Sequence, residues 1–277
     1  MKSTIVTFPD GQVSGRSEVV GTVQAGDALG VIVAETPFHP LDHTWPDQPA
    51  DRGLLAGHPL LGCVTGATAG DGQVLLGADI PVRRGDPAWQ WLVVHLVEPA
   101  AAVEAGAEVT LEADAGYRAA LSAGHTACHL AALALNAALA GHWRKETGAD
   151  SLGQPNFDQH AITSSTIVEN GSVDVYRLGK SLRKKGFSAD GLDWAEVAGR
   201  VNGILAGWVA ADAPVWIDAP DGTLTARRTW HCALPEGEGW IPCGGTHVHR
   251  TSALGGVRVE LEPGESELTM RTYAGSS

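Results

Sequence analysis

One long segment rich in alanine and leucine constrains the fold more than any other part of the chain. It runs from Tyr117 to Lys145, reads YRAALSAGHTACHLAALALNAALAGHWRK and contains no proline. Leucines recur around one helical face and Gly141 lies near the expected end, so the segment predicts a long α-helix. A second helix is predicted over residues 191–212, GLDWAEVAGRVNGILAGWVAAD. The remaining segments decide what these helices pack against.

Short β-branched and apolar segments fill most of the rest. Before the helix they include SEVVGTV, ALGVIVAE, GCVTGAT and WQWLVVHLVE, separated by Gly, Asp and Pro. This spacing is typical of strands and turns, and it favours a barrel or a sandwich. After the helix, AITSSTIVENGSVDVYRL, APVWIDA, TLTARRTWHCAL, GGVRVELEP and ELTMRTYA are also predicted strands. The patterns predict an α+β second domain, with a boundary near residues 110–118.

Composition and charge exclude some classes of protein. Of 277 residues, 44% are hydrophobic and 18% are charged, which is a normal globular mixture. The net charge of −13 argues against a protein that coats nucleic acid, because such proteins neutralise phosphates with cationic side chains. A local contact with RNA through a small basic patch remains compatible with this charge.

The cysteines and the apolar runs indicate the compartment. Cys63, Cys128, Cys232 and Cys243 form no CxxC pair, and their spacing suggests no disulfide framework. The first residues, MKSTIVTFPDGQVSG, contain no apolar core of signal-peptide length. No apolar run approaches the ~18 residues of a membrane span. We expect a reduced, cytoplasmic, soluble protein.

Two pairs of metal-ligating residues stand four positions apart. His125 and His129, in GHTACHL, fall on one face of the predicted helix, so two imidazoles can chelate one ion. Cys243 and His247 lie in the glycine-rich stretch PCGGTHVHRT. Either pair alone also fits an incidental helix face or turn. Together they make a His, His, Cys, His set, which suits Zn²⁺.

The spacing disfavours two common kinds of zinc site. A metalloprotease helix reads HExxH with glutamate as general base, whereas Thr126 follows His125 here. A structural zinc finger takes its ligands from one short segment, whereas a long interval separates His129 from Cys243. The set is more typical of a site that a complete fold assembles, as catalytic sites are.

The paired motifs resemble those of a known family. HTACHL followed far downstream by CGGTHVHRT resembles the editing domain shared by alanyl-tRNA and threonyl-tRNA synthetases and by the AlaX-type editing proteins, with the pattern HTAxHLL and then CGGTHV. Residues 35–53, ETPFHP…DQPADRG, resemble the family's ETxFYPxGGGQPxDxG, and residues 93–98 and 105–118 resemble the connector before the helix. The resemblance covers most of the chain. One loop departs from it, because HTWPDQ replaces the three glycines before Gln48.

The resemblance implies a fold, a cofactor and an activity. The fold would be an N-terminal β-barrel domain over residues 1–112, followed by a zinc-bearing α/β editing domain with an antiparallel sheet over residues 113–277. The activity would be hydrolysis of the ester bond of mischarged tRNA, a translation-fidelity function. Zn²⁺ would be bound by His125, His129, Cys243 and His247.

Several residues are candidates for contact with the substrate. Gln48 and Asp51 match the family loop that lies near the substrate, and the missing glycines there favour an unusual substrate choice. Gly244 and Gly245 have no Cβ to obstruct the terminal ribose, or they form a simple turn. Thr246 and Thr163 are the catalytic candidates. Thr246 contacts substrate or only caps its loop, and Thr163 reads the hydroxyl of serine or is an ordinary strand residue.

A basic stretch is the predicted contact with tRNA. RLGKSLRKKGFSA, residues 177–189, holds five basic residues and no acidic one. In an anionic chain, Arg183, Lys184 and Lys185 are natural phosphate contacts, and the alternative is a solvated face.

Several functions remain open at this point. The leading one is a trans-editing hydrolase that deacylates serine- or glycine-charged alanine tRNA, with tRNA and no DNA as partner. The first alternative is a deacylase of threonine tRNA charged with serine or a threonine analogue. The others are a zinc-dependent hydrolase of free amino-acid esters and a zinc-stabilised RNA-binding module without activity, which the net charge disfavours. Neither motif contains a carboxylate, so no general base is assigned.

Overall fold

The computed structural model describes residues 1–70 and 72–275. Its strands are β1 (Ile5–Val6), β2 (Ser14–Ala25), β3 (Ala28–Val33), β4 (Glu35–Thr36), β5 (Gly53–Leu55), β6 (His58–Pro59), β7 (Gly62–Thr68), β8 (Leu75–Leu76), β9 (Gln90–Val97), β10 (Glu108–Ala113), β11 (Ile162–Val168), β12 (Gly171–Arg177), β13 (Val215–Asp218), β14 (Thr229–Leu234), β15 (Gly237–Pro242), β16 (Val257–Pro263) and β17 (Glu267–Ala274). Its α-helices are α1 (Ala115–Leu139), α2 (Phe157–Ala161), α3 (Lys180–Lys184) and α4 (Trp194–Ala210). Short 3₁₀ helices cover Phe8–Asp10, Gly77–Asp79, Pro99–Ala101, Ala140–His142 and Thr251–Leu254.

Contacts between Cα atoms divide the chain into two compact units that are discontinuous in sequence. The first comprises Met1–Ala119, Ile217–Arg228 and Cys243–Thr246, and the second comprises Ala120–Trp216, Thr229–Pro242 and His247–Ser277. The predicted boundary between residues 112 and 113 stays a prediction. The last two residues of the predicted second domain lie outside the part of the chain that the structure describes.

An eight-stranded sheet dominates the first unit, in the order β6-β5-β10-β2-β3-β9-β7-β8. The long strand β2 joins its two halves, because residues 14–18 pair with β10 and residues 19–25 pair with β3. The register shifts between Val19 and Gly21, where the ladder passes from one partner to the other. Alternate apolar side chains of both halves, among them Val31, Leu55 and Leu111, belong to one buried cluster.

The predicted N-terminal barrel is wrong in one respect, because the sheet is not closed. β6 and β8 end the strand order and do not pair with each other within the described ranges. Both are two residues long, and Pro59 in β6 has no N–H to donate to a further ladder. Short edges of this kind leave an open sheet where a longer strand would allow closure.

The second unit confirms the coarser prediction of an α+β fold with an antiparallel sheet. Strands β11, β12, β17 and β16 pair in that order, and every pairing between them is antiparallel. On α4, the Asn202 side chain accepts a hydrogen bond from the Val259 N–H (2.7 Å) and donates one to its carbonyl (3.1 Å). These two bonds fix the helix against β16.

Helix α1 is the predicted long helix, and it is buried on most sides. Its N-terminal cap is Asp114, whose carboxylate accepts a hydrogen bond from the Tyr117 N–H at 3.0 Å. The helix ends at Leu139, close to Gly141 where its end was expected, and a 3₁₀ turn over Ala140–His142 follows it. At Gly124 an added Cβ would lie 2.4 Å from the carbonyl oxygen of Val168. Only glycine therefore fits where the β11–β12 hairpin meets the helix.

The remaining strands form a three-stranded sheet of order β13-β14-β15 and a two-stranded parallel pair of β1 and β4. Within the described ranges, no helix is both long enough and apolar enough to span a bilayer.

Candidate metal centre

Helix α1 brings the first two predicted ligands together. His125 and His129 lie one turn apart, and their ring centroids are 4.7 Å apart. His125 is 1% exposed, and most leucines and alanines of α1 around it are buried as well. The helix therefore holds two imidazoles side by side in an apolar setting.

The downstream loop supplies the other two predicted ligands. The His247 ring centroid lies 4.4 Å from that of His125 and 5.1 Å from that of His129. One ligand atom each from His125, His129, Cys243 and His247 lies within 4.8 Å of the others. These four residues have the donors and the spacing to hold a metal ion, and we call them the histidine–cysteine cluster.

The state of His129 fits a metal ligand. Its Nε2 atom is buried and has no hydrogen-bond partner among the described residues. Burial, and then the neighbouring His125, hold the pKa of His129 well below its ordinary value. The imidazole is therefore neutral, and its lone pair is available to a cation. A buried polar atom without a partner is costly, and a metal ion would remove that cost.

Thr126, between the two helix ligands, sets the tautomer of His247. Its hydroxyl donates to the Ser122 carbonyl at 2.9 Å and lies 3.2 Å from His247 Nδ1. Because its one proton is used, the hydroxyl can only accept from His247, so Nδ1 carries the hydrogen. His247 Nε2 is then the atom that keeps a lone pair for a metal. From the sequence, Thr126 was recognised only as the residue that stands where a metalloprotease helix has glutamate.

Cys243 is a partly buried residue in a bendable loop. Burial is the main cause that raises its pKa to about 12, while the Gly245 N–H, 3.4 Å from the sulfur, lowers it slightly. A thiol with such a pKa is a poor nucleophile, because the thiolate is the reactive form. A bound divalent cation reverses this balance by stabilising the thiolate. The surroundings of Cys243 thus fit a ligand better than a free nucleophile.

Trp230 on β14 is a neighbour of the cluster that sequence analysis did not single out. It is fully buried, and its ring centroid lies 5.1 Å from that of His129. Its indole N–H has no hydrogen-bond partner in the described part of the chain. The alternation in TWHCAL, which turns Trp230 and Cys232 inward, was the available signal.

Gln48 and Thr246, predicted to contact substrate, bond to each other. The Gln48 side-chain N–H donates to Thr246 Oγ1, and the Thr246 backbone N–H donates to Gln48 Oε1, both at 3.0 Å. The residues are 1% and 4% exposed. This pair of bonds fixes the backbone of the loop between Cys243 and His247.

Asp51, the other candidate in that family loop, forms a buried ion pair with Arg118. Arg118 Nε donates to Asp51 Oδ1 at 2.8 Å, and Arg118 Nη2 donates to Oδ2. Arg118 also donates to the carbonyls of Pro37 (2.7 Å) and Gln12 (3.3 Å). The two side chains are 5% and 1% exposed, so the pair ties the loop to the start of α1.

All but one of the remaining predicted residues are at the surface. Thr163 is exposed at a register shift of β11, and its hydroxyl donates to the Val175 carbonyl at 2.9 Å. Gly244 is exposed with nothing within 4 Å of an added Cβ, whereas Gly245 is buried. Arg183 and Lys184 end the short helix α3, and Lys185 follows it.

A second basic segment adjoins α3. Lys145 Nζ donates to the Lys184 carbonyl at 3.3 Å, and the Arg144 N–H donates to the Gly186 carbonyl at 2.9 Å. The exposed cations of this basic surface are Arg144, Lys145, Arg177, Lys180, Arg183, Lys184 and Lys185.

No family model matches the chain.

Proposed function

We propose that the protein is a zinc-dependent hydrolase that removes the amino acid from mischarged tRNA, with serine- or glycine-charged alanine tRNA as its default substrate. The observation that carries this proposal is the cluster itself. Three imidazoles and a thiol meet within 4.8 Å, and they come from the two motifs that resemble the editing family. A long interval of sequence separates those motifs, so chance clustering is a poor explanation.

Zinc is the metal that the donor set favours. Three nitrogens and one sulfur suit Zn²⁺, whereas Mg²⁺ and Ca²⁺ prefer oxygen ligands. When bound, Zn²⁺ supplies a Lewis acid that polarises water or the ester carbonyl. Thr126 keeps His247 in the tautomer that a metal requires, and the Gln48–Thr246 bonds hold the loop that carries Cys243 and His247.

The chain's own residues leave room for the end of a tRNA. The space above Gly244 is open, so a ribose can approach the backbone there. Thr163 faces solvent, and its oxygen can still accept a hydrogen bond after donating to Val175, as recognition of a serine hydroxyl would require. Phosphates of the tRNA would lie on the basic surface, which gathers seven exposed cations in a chain of net charge −13.

The compartment we propose is the cytoplasm. None of the four cysteines forms a disulfide, and three of them are buried while Cys243 is partly so, which fits a reducing environment. It is also where the proposed tRNA substrate is used in translation.

A second candidate function rests on the number of donors. Four protein ligands can fill a tetrahedral zinc site, which is typical of structural zinc without an open position. In that case the protein would be a zinc-stabilised RNA-binding module without activity. A third candidate, hydrolysis of free amino-acid esters, would need the cluster and not the basic surface.

A panel of aminoacyl-tRNAs separates these functions. Purified zinc-loaded protein is incubated with alanine tRNA charged with serine, glycine or alanine, with threonine tRNA charged with serine or threonine, and with serine ethyl ester. We expect rapid release of serine or glycine from alanine tRNA and slow release from the others. Preferential hydrolysis of serine on threonine tRNA would transfer the assignment to that tRNA.

Two outcomes would contradict the proposal. Equal hydrolysis of serine ethyl ester would assign the protein to simple ester hydrolases. No hydrolysis of any substrate, with zinc retained and tRNA bound, would assign a structural metal. The His129→Ala variant should lose zinc and the release of serine or glycine, whereas its matched control His58→Ala, which changes an exposed histidine of the first unit, should keep both.

A further inference from the structure

The outer face of the β13-β14-β15 sheet carries a row of aromatic rings. Trp216 on β13 is 40% exposed and Trp240 on β15 is 49% exposed. His231 on β14 lies opposite Trp240 in the antiparallel register, so their side chains share one face. The rings of Trp216 and His231 are stacked, with centroids 5.1 Å apart and planes 7° apart. We call Trp216, His231, Trp240 and Glu238 the aromatic face.

Packing in the core of the second unit does not explain why these rings lie on the outer face of the sheet. Strand β14 alternates, so that Trp230 and Cys232 point inward and are fully buried while His231 points outward. The inner face of the hairpin is thus already filled by its own residues. Two large indoles exposed on adjacent parts of one sheet are costly to hydrate, and such clusters mark recognition surfaces.

The charges around the aromatic face select the partner. The hairpin from Thr229 to Pro242 contains Glu236 and Glu238 and no lysine or arginine. Glu238 Oε1 lies 2.7 Å from His231 Nδ1, which places a carboxylate beside the stacked rings. Phosphates are repelled by such a surface, whereas a cation gains both a π-face and a carboxylate.

We infer that the aromatic face binds an arginine side chain of a partner protein. Its planar guanidinium stacks on the exposed indole of Trp240 and pairs with Glu238, whose carboxylate accepts from His231 and from the guanidinium together. Arginine is preferred to lysine because a planar cation stacks on an indole over a larger area. This surface shares no residue with the basic surface proposed to contact tRNA, and the inference does not depend on the deacylase activity.

Indole resonances give a direct test on the intact, zinc-loaded protein. The nine tryptophans are labelled with ¹⁵N at the indole nitrogen. The protein is titrated with the peptide GRGRGRG, with GKGKGKG and with a cytidine hexanucleotide. We expect GRGRGRG to shift the Trp216 and Trp240 signals at lower concentration than GKGKGKG. Trp45, which is 62% exposed in the first unit, should not shift and serves as the internal control.

Variants decide whether the rings and the carboxylate cause the binding. Trp240→Ala and Glu238→Gln should each weaken GRGRGRG binding by about two- to thirtyfold, whereas Trp45→Ala should leave it unchanged. Bound zinc should stay constant, which shows that the variants are folded. Equal affinity in Trp240→Ala, or equal weakening in Trp45→Ala, would reduce the effect to general attraction by an anionic protein and overturn the inference. Shifts of Trp216 and Trp240 with the cytidine oligomer alone would also overturn it, in favour of base stacking.

Discussion

Two buried polar clusters of this protein differ in how their atoms are satisfied. In the first unit, Arg118 donates to both carboxylate oxygens of Asp51 and to two backbone carbonyls, so donors meet acceptors. In the histidine–cysteine cluster, imidazoles face one another, and buried His129 Nε2 has no hydrogen-bond partner in the described ranges. A cluster that satisfies itself holds the fold together. A cluster of mutually facing lone pairs is suited to bind a cation.

The largest expected effect comes from removing two ligands of the second cluster. The variant His125→Ala with Cys243→Ala should lose zinc and at least about a thousandfold in single-turnover deacylation of the preferred tRNA, because metal and catalysis depend on the same atoms. Metal content and rate are measured on the same preparation, and circular dichroism checks the fold. Retained zinc occupancy would contradict the ligand assignment. Trapping an aminoacyl thioester on Cys243 in zinc-free wild-type protein would make the cysteine a nucleophile.

Breaking the ion pair of Asp51 and Arg118 should lower the free energy of unfolding and leave the affinity for metal unchanged. Asp51→Ala leaves the Arg118 guanidinium buried without its counter-ion, and the free energy of unfolding should fall by about 3–5 kcal/mol. The control is Glu108→Ala, which breaks the exposed pair with Arg16 and should cost about 1 kcal/mol or less. Urea unfolding of both variants measures the difference. Equal small losses would show that the Asp51 pair does not hold the loop.

The carboxyl group of Asp158 is intermediate between these two clusters, because it has a hydrogen-bond partner and is still unfavourably placed when charged. Asp158 accepts a hydrogen bond from the Tyr176 hydroxyl at 3.1 Å, yet burial, and then the nearby Asp174, raise its pKa to about 6. Because this value lies above the ordinary 3.8, the folded protein holds the proton more tightly than the unfolded chain. The resulting stabilisation is complete below the unfolded pKa and is lost as the pH rises through the folded one.

The stability of Asp158→Asn relative to the wild type should therefore increase as the pH rises. Between pH 4 and pH 8, the difference in unfolding free energy should move in favour of the variant by on the order of 2 kcal/mol, a figure reduced for the partial exposure of the side chain. Thermal or urea unfolding across this range measures it. A difference that does not vary with pH would show that Asp158 does not titrate with the fold.

The basic surface should show the smallest of these effects. Replacing Arg183, Lys184 and Lys185 with alanine should weaken tRNA binding by about tenfold and reduce its dependence on salt, while zinc content stays unchanged. The control is Arg16→Ala, an exposed cation of the first unit. Filter binding at several salt concentrations measures both quantities. If the triple variant binds tRNA with wild-type affinity and wild-type dependence on salt, the basic surface is only a solvated face.

The sequence anticipated features that depend on short-range patterns. The long helix and the two ligand pairs follow from spacings of three and four residues in HTACHL and of four in CGGTH, so α1 and the ligand set were accessible. The hairpin of β11 and β12 likewise lies within one predicted segment. These features need no knowledge of distant contacts.

Other features depend on contacts that no local pattern encodes. The first sheet stays open between β6 and β8, and the sequence patterns of these two-residue strands are too short to indicate a sheet edge. Gln48 was expected to contact substrate, but its hydrogen-bonding with Thr246 joins residues 198 positions apart. The short helix α3 was not predicted, because the basic residues of this stretch were interpreted as contacts with tRNA.

We propose above that the histidine–cysteine cluster binds the zinc on which deacylation depends. It is tested most directly by measuring metal content and single-turnover deacylation of serine-charged alanine tRNA on one preparation, before chelation, after chelation and after zinc is restored. We expect about one zinc per chain, loss of metal and activity together, and recovery of both with Zn²⁺ but not with Mg²⁺. Full deacylation by protein that contains no metal would contradict it.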